Sequence, residues 1–185
     1  MGFVIAIAII AALILLALMF MYNGLVRMRN QVKNAWAQID VQLKRRHDLI
    51  PNLINTVKGY AKHEQGTLEK VIQARNAAIA ATGAGAAGKA ESQPKAALGG
   101  IFALAEQYPD LKANQNFLAL QEELTSTENK IGFARQFYND QVMGYNTKIQ
   151  SVPTNLIASK FGFWLEDMFE LADSQERDVP NVSFE

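Results

Sequence analysis

The sequence predicts an all-α protein, in which an N-terminal transmembrane helix is followed by a long antiparallel bundle of about four helices. Residues 3–21 contain no charged or strongly polar side chain. In the later segments, apolar residues recur at intervals of three and four, which is the period of an α-helix. No βαβ unit can be traced in the chain. We therefore divide it into an anchor at 1–22, a helical bundle at 23–160 and a C-terminal segment at 161–185.

The first 22 residues are expected to anchor the protein in a lipid bilayer. About 20 apolar residues at a rise of about 1.5 Å per residue match a hydrocarbon core of about 30 Å. A cleaved signal peptide is the alternative, but the stretch lacks a basic leader and a small-x-small cleavage site. Anchor residues along its length are Phe3, Ile10, Leu15, Leu18 and Met21.

Basic residues close to the anchor predict its orientation. Arg27, Arg29 and Lys33 follow the apolar stretch within about 15 residues, and such residues are usually retained on the cytoplasmic side of a membrane. We expect a single span with a short external N-terminus and a cytoplasmic body.

Two helices are predicted between the anchor and residue 79. The first carries an apolar stripe from Leu25 to Leu43, and the second carries one from Ile50 to Ile72. Asp48 followed by Pro51 predicts a break between them, because proline is accepted in the first turn of a new helix. The stripe of the first helix consists of Leu25, Met28, Val32, Ala35, Ile39 and Leu43.

Residues 80–95 are rich in alanine and glycine, and this composition predicts a mobile loop between antiparallel helices. The glycines from Gly83 onward, with Lys89, match the spacing of phosphate-binding loops. We do not expect a nucleotide site, because a helix precedes these glycines and Ala90 stands where such a loop has serine or threonine.

A short helix at 96–107 and the longest periodic segment, at 114–150, complete the predicted bundle. Tyr138 and Tyr145 lie seven residues apart in the long segment, so they occupy the same face of a helix. Their hydroxyls could be satisfied inside the bundle, where they would fix its register. The alternative is a groove that binds a partner helix.

The C-terminal segment follows a short turn of helix at 154–159. It begins with an aromatic patch at 161–164, which could fold back on the bundle or lie at the membrane interface. It then becomes acidic and finishes with VPNVSF before Glu185. This end, with Val179 and Phe184, could dock on a basic surface, including that of a neighbouring copy.

A basic cluster near the predicted end of the first bundle helix offers that surface. Lys44, Arg45 and Arg46 suit the negative pole of the helix dipole. Alternatively, they could attract anionic lipid head groups. Together with Arg27 and Arg29, they are the candidate basic residues for contacts with another molecule.

Composition argues against several functions. The chain has no cysteine and only two histidines, His47 and His63, neither of which belongs to an HExxH motif. The net charge is zero, which does not favour nucleic-acid binding. We expect no cofactor, no metal site, no nucleotide and no nucleic acid.

Several blocks of the sequence carry a resemblance to a known family. They include RNQVKNAWAQIDVQLKRRHDLIPNLINTVKGY after the anchor, AEQYPDLKANQNFLALQEEL, ENKIGFARQFYND, GYNTKIQSVPTNLIA and the closing VPNVSF. In these blocks the chain resembles the LemA family of membrane-anchored bacterial helical proteins. The resemblance supplies no catalytic motif, and it includes a branch associated with magnetosome membranes.

Two functions are consistent with the residues and with the resemblance. The first is a non-enzymatic, homo-oligomeric scaffold at the bacterial inner membrane that organises the membrane or other envelope proteins. The alternative is an adaptor in envelope quality control or signalling, which presents its bundle face or its acidic tail to a protease or a receptor. A hydrolase hidden in the bundle has the least support.

Overall fold

The computed structural model describes residues 1–171, and this part of the chain contains six helices and no strand. The predicted all-α fold class is therefore confirmed. The helices are α1 (Gly2–Lys58), α2 (Gln65–Ala80), α3 (Ala84–Ala105), α4 (Pro109–Lys112), α5 (Gln115–Gln150) and α6 (Thr154–Phe161).

The chain forms two compact units. Unit 1 contains residues 1–38 and 136–168, and unit 2 contains residues 39–135 together with, among the described residues, 169–171. Helices α1 and α5 each contribute to both units, whereas α6 belongs to unit 1 and α2 to α4 belong to unit 2.

The core of unit 1 is built from the predicted apolar stripe of α1. Leu25, Val32 and Ala35 are buried, as a helical repeat of three and four requires. The other buried residues of this unit come from α5, α6 and the segment that follows; they are Tyr138, Val142, Tyr145, Thr154, Ile157, Ala158 and Phe163. By contrast, residues 1–20 at the start of α1 are all exposed.

The core of unit 2 is larger and draws on five helices. It continues the stripe of α1 and adds apolar side chains from α2 to α5. Its cluster of buried residues consists of Ile50, Leu53, Ile54, Val57, Ala61, Leu68, Val71, Leu98, Ile101, Leu104, Ala105, Leu111, Phe117 and Leu124. The predicted stripes of α1 and α5 thus supply much of it.

The predicted break before Pro51 is wrong, because α1 continues to Lys58 with Pro51 inside it. An internal proline costs a helix about 3 kcal/mol. Ile50, Leu53 and Ile54 are buried around it, and each large buried apolar side chain contributes about 1.5–3 kcal/mol. Burial on both sides of the proline therefore outweighs its local cost, and the break comes later, between Lys58 and Gln65.

The predicted loop at 80–95 is also wrong, since α3 begins at Ala84. Alanine is the best helix former, and the buried face of this part of α3 consists of Ala87, Gly88, Glu91 and Pro94. Gly88 allows another part of unit 2 to approach closely, because a Cβ at this position would lie 2.5 Å from the carbonyl oxygen of Glu170. Small residues and one buried carboxylate thus replace large apolar side chains on this face.

Helix α5 agrees with the prediction to within one residue. Its start is fixed by Asn114, whose Oδ1 accepts a hydrogen bond of 3.0 Å from the backbone amide of Phe117 and so satisfies one of the free amides of the first turn. Helix α6 is two residues longer than the predicted turn and ends at Phe161.

Candidate functional site

The anchor and α6 together line an apolar groove of about 550 Å³ in unit 1. The anchor side chains of this groove lie in the last two turns of the apolar stretch. Its lining consists of Leu15, Leu18, Met19 and Tyr22 from α1 and Leu156, Ile157, Lys160 and Phe161 from α6. Of the predicted anchor residues, Phe3, Ile10, Leu15 and Leu18 are exposed, and Met21 is half-buried.

In the aromatic patch predicted at 161–164, two phenylalanines contact α1 and the tryptophan is exposed. The rings of Phe161 and Phe163 contact Tyr22 edge-on, with centroids at 5.2 and 5.6 Å. Phe163 is buried, and the guanidinium of Arg29 lies 4.9 Å from the centroid of its ring, as in a cation–π contact. Trp164, in contrast, is 75% exposed.

A glycine turn places Phe163 back on unit 1. Gly162 has φ +70°, the left-handed conformation that favours glycine. The backbone amide of Phe163 then donates a hydrogen bond of 3.0 Å to the carbonyl oxygen of Ala158, which closes the end of α6. Because the chain reverses at Gly162, Phe163 packs on unit 1, whereas the next residue, Trp164, is exposed.

Tyr138 and Tyr145 are both buried in unit 1. The Tyr138 hydroxyl donates a hydrogen bond of 2.8 Å to the carbonyl oxygen of Asp167, and its ring lies 5.7 Å from that of Trp36. Burial, followed by the charges of Glu166 and Asp167, raises the pKa of Tyr138 to about 12. Neither tyrosine is accessible to a partner helix, so their position favours the internal role.

Tyr145 differs from Tyr138 in the hydrogen bonding of its hydroxyl. This hydroxyl is buried and has no hydrogen-bond partner within residues 1–171. Burial is also the main cause that raises the pKa of Tyr145. Beside it, Asn146 holds the segment after α6 through two hydrogen bonds with Glu166, at 2.9 Å to its carbonyl oxygen and 3.0 Å from its amide.

A cluster of charged side chains in unit 2 surrounds the buried residues Arg46, His47 and Glu91. Arg46 is only 2% exposed; it pairs with Glu91 of α3 and, at 2.5 Å, with Glu128 of α5. His47 Nε2 lies 2.9 Å from Glu91 Oε1, and Lys95 lies 3.6 Å from Glu128. The candidate role of Arg46 in contacts with another molecule is therefore revised, because its guanidinium is enclosed between two carboxylates.

The other candidate basic residues remain closer to the surface. Arg27, Lys44 and Arg45 are exposed, and Arg29 is half-buried against Phe163. Arg45 forms an exposed ion pair of 2.5 Å with Glu123. Within residues 1–171, no three His, Cys, Asp or Glu side chains come together as metal ligands would. Val179 and Phe184 lie outside the described residues.

A second surface of interest lies on the outer face of α5 in unit 2. It is an open depression of about 640 Å³, lined by Leu118, Gln121, Glu122, Thr125, Ser126, Asn129, Lys130 and Phe133. Leu118 and Phe133 are exposed at its two ends. Sequence reasoning missed this face because Leu118 and Phe133 lie outside the main apolar stripe; their own spacing of fifteen residues, about four helical turns, was the signal available.

Comparison with known protein families matches most of this chain to one family. A family model described as the LemA family matches residues 35–184, which is most of the chain. The chain belongs to the LemA family. The resemblance identified in the sequence blocks is thereby confirmed.

Individual relatives of this LemA-family chain include a LemA protein and MamQ proteins. Protein LemA of Metamycoplasma hominis is 29% identical over 161 residues, which cover 85% of this chain and 72% of that protein. Magnetosome protein MamQ 2 of Paramagnetospirillum magneticum is 25% identical over 179 residues, which cover 83% of this chain and 66% of the relative. MamQ of Magnetospirillum gryphiswaldense is 24% identical over 172 residues, covering 79% and 63%. The chain thus spans slightly less than two thirds of the MamQ proteins.

Proposed function

We propose that this LemA-family protein is a non-enzymatic scaffold that is anchored in the bacterial inner membrane and assembles with copies of itself. The main support for this proposal is that α1 is continuous from the apolar stretch into the core of unit 1. Its apolar first turns expose every side chain, and the same helix then buries Leu25, Val32 and Ala35 in a packed core. Such a helix joins a bilayer anchor directly to a folded module, with no linker between them.

The basic residues after the anchor support a cytoplasmic location for the part of the chain that follows the anchor. Arg27 is exposed and Arg29 is half-buried. Both lie about two helical turns beyond the end of the apolar stretch, where positive charges favour retention on the cytoplasmic side. The short N-terminus then lies outside the cell membrane. The MamQ relatives are named as magnetosome proteins, and this supports a role at a membrane for the present chain.

The internal use of polar residues supports a non-enzymatic role. The carboxylate of Glu91 pairs with Arg46, and the Tyr138 hydroxyl bonds to a backbone carbonyl. In the described residues, these buried groups bind one another or the backbone, as in a structural network.

Self-assembly is supported by the outer face of α5. Leu118 and Phe133 expose apolar surface at its ends, and the small residues Thr125 and Ser126 lie between them, which would allow another helix to approach. Glu122 and Lys130 provide both signs of charge, so two copies of the face can meet without like charges opposed. We infer that a second copy of this chain covers this face.

Disulfide trapping tests self-assembly, since the chain has no native cysteine. In native membranes under mild oxidation, a Ser126→Cys variant is expected to give a disulfide-linked dimer. Gln73→Cys is the matched control, because Gln73 is exposed in α2 of the same unit but lies on another helix. Equal crosslinking of the two variants, or none for Ser126→Cys, would contradict self-assembly through α5.

The adaptor function in envelope quality control or signalling is the second candidate, and the same face of α5 favours it. A depression between Leu118 and Phe133 could equally receive one helix of a protease or a receptor. A photoreactive crosslinker on Ser126→Cys distinguishes the two functions in cells. A homodimer supports the scaffold, whereas an adduct with a different protein supports the adaptor.

A further inference from the structure

Helix α6 exposes an apolar surface beside the membrane anchor. Its inner residues, Thr154, Ile157 and Ala158, are buried in unit 1. Its outer surface presents Leu156 at 69% exposure and Phe161 at 57%. Trp164 and Leu165 follow at 75% and 55%. Leu156 and Phe161 line one apolar groove with the anchor, and Trp164 and Leu165 follow in the chain. A contiguous exposed apolar surface usually marks a binding surface.

The contacts of α6 with the anchor indicate how deep α6 lies in the bilayer that the anchor spans. The groove between them reaches from Tyr22 back to Leu15. Leu15 lies about 9 Å below Met21 along a helix that rises about 1.5 Å per residue. If α1 spans the bilayer with its apolar stretch, then α6 lies beside its last two turns. This is the layer about 5–10 Å deep, between head groups and acyl chains, in which interfacial helices insert.

We propose that α6 and the segment through Trp164 insert into the interfacial layer of the same bilayer that α1 spans. The inference rests on the membrane anchoring in the proposed function, but it does not depend on self-assembly. The occupant of the groove and of the exposed apolar patch is then lipid. The protein holds the membrane through two elements, one that crosses it and one that lies at its surface.

The polar residues of this surface suit a lipid interface. Lys160 is the charged residue among those that line the groove; its apolar stem can lie along acyl chains while its ammonium reaches the phosphates. Tyr22 contacts Phe161 at the same level, and Trp164 is exposed nearby. Tyrosine and tryptophan concentrate at this depth in membrane proteins because their rings are amphipathic.

Tryptophan fluorescence tests the insertion of α6 in the full-length protein. The chain has two tryptophans, Trp36 and Trp164. A Trp36→Phe variant leaves Trp164 as the reporter, in vesicles of phosphatidylcholine and phosphatidylglycerol with brominated phosphatidylcholine. We expect strong quenching by bromines placed near the head group, weaker quenching by bromines near the chain end, and little quenching by aqueous acrylamide.

The matched control is Trp164→Phe, which leaves Trp36 as the reporter. Trp36 is half-buried against Tyr138 and lies about 20 Å along α1 from the end of the apolar stretch, so bromolipids should not quench it. Circular dichroism must show equal helix content in both variants. If Trp164 is accessible to acrylamide and is not quenched by bromolipid, or if it is shielded from both quenchers, the proposal is contradicted.

A third variant separates this inference from the anchoring on which it rests. Leu13→Trp, in a chain that also carries Trp36→Phe and Trp164→Phe, reports on the middle of the anchor. Quenching of this reporter by deep bromines without quenching of Trp164 would contradict the insertion of α6 alone. Absence of quenching for both reporters would overturn the membrane anchoring and the insertion together.

Discussion

The hydroxyl of Tyr138 donates a hydrogen bond of 2.8 Å to the carbonyl oxygen of Asp167. This bond ties α5 to the segment that follows α6, and the two hydrogen bonds between Asn146 and Glu166 do the same two turns further along α5. Together they attach residues 166 and 167 to α5 within unit 1.

The two buried tyrosines are expected to respond differently to loss of the hydroxyl. Tyr138→Phe leaves the carbonyl of Asp167 without its partner and should lower the free energy of unfolding by about 1–3 kcal/mol. Tyr145→Phe removes a buried hydroxyl that has no partner within residues 1–171, and it should be neutral or stabilising. Thermal unfolding in nanodiscs measures both. An equal loss of stability in the two variants would contradict the assigned hydrogen bond.

Stability should decline in alkaline solution as Tyr138 ionises. The pKa of Tyr138 is raised in the fold from 10.0 to about 12, so the unfolded chain loses this proton first. The stabilisation is thus fully present below about pH 10 and is lost as pH rises towards 12, at about 1.4 kcal/mol per pH unit. Unfolding of Tyr138→Phe over the same range should show a shallower decline. An identical decline in both proteins would refute the assignment.

Arg46 should contribute much more to stability than its neighbour in sequence. Arg46→Ala leaves the buried carboxylate of Glu91 without its main partner, and such a loss costs about 3–5 kcal/mol. Arg45→Ala removes an exposed pair with Glu123 and should cost less than about 1 kcal/mol. For a chain of this size, the first change lowers Tm by roughly 6–20 °C. Similar Tm values for both variants would show that the Arg46 cluster is not structural.

Two glycines of α3 should have opposite effects when each is changed to alanine. A Cβ at Gly88 would lie 2.5 and 2.8 Å from the carbonyl oxygen and the nitrogen of Glu170, so Gly88→Ala should destabilise the protein by about 1–3 kcal/mol. Gly99 has open space around it, and Gly99→Ala should stabilise α3 by up to about 1 kcal/mol. Unfolding of the two variants distinguishes a close approach from helix propensity.

The sequence predicts those elements whose cores are built from large apolar side chains. The stripes from Leu25 to Leu43 and along α5 are buried as their spacing requires. The two wrong boundaries occur where local rules compete with tertiary packing. Pro51 does not end α1 because its neighbours are buried. The first part of α3, residues 84–95, was missed because its buried face is made of Ala87, Gly88, Glu91 and Pro94, whereas the rest of α3 lies within the helix predicted at 96–107. A pattern of large apolar residues does not detect such a face.

The candidate sites were predictable in composition but not in position. The aromatic patch at 161–164 is visible in the sequence, whereas its contact with Tyr22 depends on the turn at Gly162 and on the packing of α6. Similarly, Arg46 is one of three adjacent basic residues in the sequence. Only its burial beside Glu91 and Glu128 separates it from Arg45.

The mass of the full-length protein in native nanodiscs tests the proposed scaffold most directly. Mass photometry counts the copies of the 20.5 kDa chain in each particle without removing the membrane that α1 requires. We expect one discrete homo-oligomer, which becomes smaller when Phe133→Asp places a charge on the outer face of α5. A monomer, or a particle that contains one copy of this chain with one foreign protein, would contradict it.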